Sequence, residues 1–106
     1  MKYVVKDQRT LIVYKKTLEL YKSTINDGKV YNIINLTKLK RSIIKIIGYI
    51  ARSTGDCLYP NRVMYDIEKA IKWTYKTEVY LEGRHNKEIL EIRKILYGLK
   101  KKVEVI

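Results

Sequence analysis

Helix breakers are scarce in this chain: one proline, Pro60, and five glycines stand among 106 residues. Between them, apolar residues recur three and four apart, the spacing that gathers side chains on one side of a 3.6-residue helix. Leu11, Tyr14, Leu18, Tyr21 and Ile25, with Leu20 beside them, predict a first helix over about residues 10–25. Asn26, Asp27 and Gly28 then supply turn chemistry, because glycine accepts positive φ cheaply and Asn or Asp satisfies local backbone donors. Leu36, Leu39, Ile43, Ile46 and Ile50, widened by Ile47, predict a second helix that starts at Val30 or at Leu36 and ends at Ala51.

The run from Ser53 to Pro60 is expected to end that helix, with Asn61 as the N-cap of the next. A third helix over about residues 62–81 collects Val63, Met64, Ile67, Ala70, Ile71, Thr74 and Leu81 on its apolar side. Glu78 falls inside that arc and must either pair with an arginine of a neighbouring helix or reach water. Gly83 to Asn86 form the next break. Beyond it Ile89, Ile92, Leu96, Leu99, Val103 and Ile106 repeat as an a/d seam from Lys87 onward. Four helices with short connections predict an all-α, antiparallel up-down four-helix bundle. Residues 1–106 make one domain, with 1–9 as an extended arm or frayed end, since single domains usually hold about 100 to 150 residues. A domain this small buries a modest fraction of its surface, which favours assembly with copies of itself.

The charge balance narrows function. Twenty-three Lys and Arg face eleven Asp and Glu, a net +12 that attracts polyanions. A codon-skewed genome or a hot habitat produces the same bias, so the placement of the cations has to decide. On a helical wheel Lys38, Arg41, Lys45, Gly48, Tyr49 and Arg52 share the side of helix 2 opposite its isoleucines, and no acidic residue of that helix interrupts them. Arg62, Tyr65, Lys69, Lys72 and Lys76 form the corresponding stripe of helix 3. Cations with interleaved tyrosines suit a phosphate backbone and unpaired bases, so RNA or single-stranded DNA is the expected partner. The bland reading makes the lysines solubilising and has Tyr49 and Tyr65 shield helix contacts. Lys100, Lys101 and Lys102 fall in the last turns of helix 4, where cations complement the helix dipole.

Chemistry has little to work with. The single histidine, His85, and single cysteine, Cys57, cannot form a disulfide or a metal site, and no P-loop, GxGxxG or Ser/His/Asp set is present. Catalytic residues, metal and cofactor are therefore all expected to be none. The longest apolar stretch, Ile43 to Ala51, contains Lys45 and falls short of the roughly 20 residues that span a bilayer, so a cytoplasmic location without membrane contact is expected.

The string Leu11 to Lys22 resembles the "DLIVYQKALELYK" opening of the bacterial 23S ribosomal RNA intervening-sequence proteins. Leu39, Lys40, Arg41 and Ser42 through Ile46, then Ile50, Ala51 and Gly55, fall where that family has "LRRAAVSIPANIAEGSG". Glu78 fits the family's "ELE" segment, and Ile95 to Lys100 is similar to its "RMLNGLIK" ending. The last helix resembles equally the accessory variability determinant (Avd) of diversity-generating retroelements, which shares the fold. The resemblance implies a basic four-helix bundle assembling as a homo-oligomeric, pentameric barrel, with Lys40 and Arg41 as nucleic-acid contacts. In the Avd branch it also implies a partner reverse transcriptase, its template RNA and the cDNA made from it. Ile47, Tyr49 and Arg52 replace Pro, Asn and Glu of the intervening-sequence pattern and add charge and an aromatic ring, which points toward the Avd branch. The rival reading is a structural module whose helical stripes serve only protein contacts.

Overall fold

A computed structural model describes residues 8–55 and 59–104. Among them the chain forms four helices and no strand: α1 (Gln8–Asn26), α2 (Ile33–Gly55), α3 (Pro60–Tyr80) and α4 (Asn86–Glu104), with a 3-10 turn, Gly28–Val30, between the first two. α1 packs on α2 and α4, and α3 packs on α2 and α4, the most extensive pair being α2 with α3. Of the arm expected over residues 1–9, Gln8 and Arg9 instead belong to α1, and residues 1–7, the Cys57 thiol and Ile106 lie outside the described residues.

Helix ends follow local chemistry more than the sequence pattern suggests. α2 begins where the Asn32 side chain accepts a hydrogen bond from the Asn35 amide at 2.7 Å, satisfying a first-turn donor between the two expected starts. Its far end corrects the expected stop at Ala51. Ser53 Oγ and Thr54 Oγ1 donate to the carbonyls of Ile50 and Ala51, both at 2.6 Å, and with their hydroxyls satisfied in this way the helix runs on to Gly55. At α3 the N-cap is Tyr59 and not Asn61, with Pro60 in the first turn, where its missing N–H costs nothing and its fixed φ is already helical.

One core joins the four helices. From α2 it takes Leu39, Ile43, Ile46 and Ile50, from α3 Val63, Ile67, Ala70 and Ile71, and from α4 Ile89, Ile92, Leu96, Leu99 and Val103, as the periodicity predicts. Helix α1 departs from expectation. Its buried residues are Thr10, Val13, Thr17, Leu20 and Thr24, while Leu11 and Ile25 are about half exposed. Thr17 Oγ1 donates to the Val13 carbonyl at 2.6 Å and Thr24 Oγ1 to that of Tyr21 at 2.7 Å. With their hydroxyls satisfied inside the helix, Thr17 and Thr24 are accommodated in the core, and the buried face of α1 is rotated away from its most apolar arc.

The α1–α2 and α3–α4 turns are stitched together. Tyr31 is 6% exposed and its hydroxyl donates to the Leu81 carbonyl at 3.3 Å. Asn35 Nδ2 donates to the Tyr80 carbonyl at 2.9 Å and to Glu82 at 3.0 Å, and His85 Nε2 lies 2.7 Å from Asp27 Oδ2. The α3–α4 turn itself passes through left-handed backbone at Glu82, Gly83 and His85, with φ of 54°, 82° and 52°. His85 thus serves as a tie between two turns.

Candidate nucleic-acid interface

The α2–α3 seam places most of the expected cations. Ser42 and Thr77, both fully buried, meet across it near the last turn of α3: Thr77 Oγ1 donates to Ser42 Oγ at 2.9 Å, and Ser42 Oγ donates to the Leu39 carbonyl at 2.8 Å. Toward the other end Arg52 Nη2 crosses to Asp66 Oδ1 at 3.4 Å. Side chains three and four residues from a seam residue share its side of the helix. Lys38 and Lys45 therefore flank Ser42 on α2, as Arg62 and Lys69 flank Asp66 on α3, so the two stripes approach the seam from its two helices, and a shallow pocket beside it on α2 is lined by Lys45, Gly48, Tyr49 and Arg52. Arg41 on α2 and Lys76 on α3 are exposed beside them, whereas Lys72, also exposed, lines a groove with Tyr75 and Tyr97 on the α3–α4 side.

Two members stand differently from expectation. The α2 stripe is free of acids within its own helix, but Asp66 of α3, fully buried, meets Arg52, whose side chain is 62% exposed. Arg52 is accordingly part counter-charge to a buried carboxylate as well as surface cation. Lys40 is half-buried and two residues from Ser42, which puts it on the flank of α2 away from the seam. The fold thus sets Lys40 apart from Arg41, the two basic positions that the resemblance puts together. Among the described residues no ion pair engages Lys38, Arg41, Lys45, Lys69, Lys72 or Lys76.

The tyrosines are more occupied than a wheel reveals. Arg52 stands over Tyr49 at 5.5 Å, Lys69 over Tyr65 at 5.4 Å, Arg62 over Tyr59 at 5.4 Å and Lys76 over Trp73 at 4.2 Å. All four are cation–π contacts between residues three or four apart, each worth about 0.5–1 kcal/mol at an exposed site. These rings hold cation heads in place on the seam, which suits phosphate contact and leaves less ring surface for bases.

Sequence reasoning missed a second cluster, on α3 and α4. Arg93 is 8% exposed; its Nε donates to Thr74 Oγ1 at 3.0 Å, its Nη2 bonds Glu78, and its guanidinium stacks on Tyr75 at 3.7 Å. Glu78 thereby takes the arginine partner while keeping a side chain 39% exposed. The Tyr75 and Tyr97 hydroxyls lie 3.2 Å apart, and that bond holds the Tyr97 phenol above its ordinary pKa, with burial adding to it and Arg93 opposing. Lys94, Tyr97 and Lys101, at i, i+3 and i+7, repeat the cation–aromatic–cation spacing of the other stripes, a signal present in the sequence. The Arg93–Tyr75 stack and the tyrosine pair are contacts between helices and leave no sequence signal.

Among the described residues no group of three His, Cys, Asp or Glu side chains is placed to hold a metal ion, and no helix is long and apolar enough to cross a membrane. No protein-family model, curated protein or solved structure matches the chain.

Proposed function

We propose that this chain is a non-enzymatic nucleic-acid-binding protein that holds RNA or single-stranded DNA along the α2–α3 seam. The reading rests on one observation above others: six cations without an ion pair among the described residues, Lys38, Arg41, Lys45, Arg62, Lys69 and Lys76, stand on or beside the α2–α3 seam, three of them on an α2 stripe that no acidic residue of its own helix interrupts. A solvated face gains by mixing signs, whereas uncompensated cations in rows favour a polyanion whose counterions they release. The helices are proposed to run antiparallel, which the descending order of α2–α3 partners supports: Asn35 with Tyr80, Ser42 with Thr77, Arg52 with Asp66. A homo-oligomeric barrel and a partner reverse transcriptase belong to the same proposal and rest on the family resemblance, the first also on the small size of the domain; a cytoplasmic location is proposed with them on the pattern of the apolar segments.

Fluorescence anisotropy of a labelled RNA oligonucleotide across a salt series tests it. Each phosphate neutralised on a single strand contributes about −0.7 to the slope of log affinity against log salt. Arg41→Glu with Lys45→Glu should weaken binding at least tenfold and flatten the slope by about 1.4. Unchanged binding in that variant sinks the seam as the interface. The protein-contact module is favoured by one specific observation: Ile33, Ile34 and Val79 are 81%, 70% and 73% exposed. Its signature is partner capture that is insensitive to salt and to these two substitutions.

A further inference from the structure

We infer that the α3–α4 face carries a separate stacking site for unpaired nucleotides, built on Tyr75 and Tyr97. The inference rests on the nucleic-acid reading above but concerns another face and another recognition chemistry. On the seam, cations cover rings of their own helix. Here two rings from different helices are joined hydroxyl to hydroxyl at 3.2 Å, and they remain 49% and 41% exposed. The guanidinium against Tyr75 is buried and locked by Glu78 and Thr74, so it backs the ring from inside and the exposed part of the ring lies away from it. A ring so buttressed cannot collapse inward, and its water-facing surface is pre-organised for a flat partner.

The surroundings select the partner. Grooves run along both sides of Tyr97: Leu90, Arg93, Lys94, Gly98 and Lys101 line one, and Ile71, Lys72, Tyr75 and Lys100, with Glu68, line the other. Lys72, Lys94 and Lys101 have no ion pair among the described residues, whereas Lys100 is shared with Glu68 and Glu104 at 3.9 Å each. On α4, Lys94 and Lys101 bracket Tyr97 about 10 Å apart along the helix. Ring surface flanked by cations is the arrangement that takes a base on its π-face and a phosphate beside it, and duplex DNA, with its bases already stacked, cannot offer that face.

Matched single-stranded and duplex oligonucleotides, titrated against the full chain with the salt slope recorded, provide the test. Tyr97→Leu should lower single-strand affinity by about 5- to 100-fold while leaving duplex affinity and salt slope unchanged, since stacking loses its surface and phosphate contact does not. Tyr97→Phe should retain single-strand affinity, because the ring rather than the hydroxyl carries the stack. A 5-bromouracil oligonucleotide irradiated on the wild-type protein should cross-link to the peptide holding Tyr97 or Tyr75. The site is refuted if Tyr97→Leu stays within twofold of wild type, if single strand and duplex lose equally, if Phe fails as badly as Leu, or if cross-links fall only on α2. An acidic peptide that competes for Tyr97 while oligonucleotides do not also refutes it, in favour of a protein partner. Should the wild type bind neither nucleic acid, the functional reading falls with it; binding that Arg41→Glu with Lys45→Glu abolishes and Tyr97→Leu spares removes the stacking site alone.

Discussion

Arg93 and Glu78 are unequal partners, and the inequality predicts which substitution hurts. Replacing Glu78 with Leu leaves a guanidinium whose side chain is only 10% exposed, with Thr74 and the Tyr75 ring for company and its counter-charge gone. Breaking a buried pair this way costs about 3–5 kcal/mol, and the partial exposure of Glu78 lowers the expectation to about 2–3 kcal/mol. For a domain near this size each kcal/mol moves the melting temperature by about 4–8 °C, so a fall of about 10–20 °C is expected. Replacing Arg93 with Met is milder. Glu78, 39% exposed, rehydrates; Thr74 keeps its bond to the Ile71 carbonyl; and methionine fills much of the arginine stem's volume. About 1 kcal/mol is expected, mostly lost packing on Tyr75 and one hydrogen bond. The double variant should lie close to Arg93→Met, with a favourable coupling near 2 kcal/mol. Urea and thermal unfolding followed by circular dichroism measure all three. Additive losses, or Arg93→Met costing more than Glu78→Leu, refute the reasoning that the buried cation is the stranded group.

Three further outcomes follow from single sites. Burial holds the Tyr31 phenol above its ordinary pKa of 10.0, helped by Asp27 and Glu82 and opposed by Arg84, so its stabilising share is full below pH 10 and is lost as pH climbs through the raised folded-state value; Tyr31→Phe should flatten alkaline unfolding in that window. Gly83→Ala forces a side chain onto a φ of 82° and should cost about 1 kcal/mol in urea unfolding, although open space surrounds the site. Lys45→Glu converts a like-charge i,i+4 neighbour of Arg41 into an opposite one; stability by urea midpoint should rise by about 0.5–1 kcal/mol at low salt and the gain should fade at high salt.

How legible the molecule was depended on whether a feature is local to one helix. The a/d seams of α2 and α4 are periodic within themselves, and Ile43, Ile46, Ile92 and Leu96 are buried as read. In α1 the periodicity selects Leu11 and Ile25 as core and passes over Thr17 and Thr24, which the fold buries instead. A threonine that closes its hydroxyl on its own helix buries like a small aliphatic residue, and that satisfaction is invisible in a hydropathy pattern. The same limit governed the site. Outward cations such as Lys38, Arg41 and Lys45 were visible because outwardness is a property of one helix. Asp66 opposite Arg52, Arg93 under Tyr75 and the tyrosine pair required knowing which helices touch and at what register. Lys94, Tyr97 and Lys101 lie between these cases: their spacing is readable in the sequence, but cations at the end of α4 are also what the helix dipole favours, so the spacing alone does not single them out.

The placement of charge joins stability to function. Cations gathered along one seam repel one another; a unit pair about 10 Å apart in water costs about 0.4 kcal/mol before screening. Such a face offers the folded state nothing by itself. It has to be offset by the isoleucine core, by the Ser42–Thr77 contact that holds α2 to α3, and by the Arg52–Asp66 and Arg93–Glu78 pairs that spend two arginines on buried or half-buried carboxylates. Those two arginines stabilise the helix pairs on which the remaining cations ride. A polyanion on the seam reverses the sign of the lysine term, turning mutual repulsion into counterion release. Arg52 and Arg93 thus hold the scaffold, while Arg41 and the unpaired lysines carry a self-repelling surface charge that the proposed nucleic-acid partner would relieve.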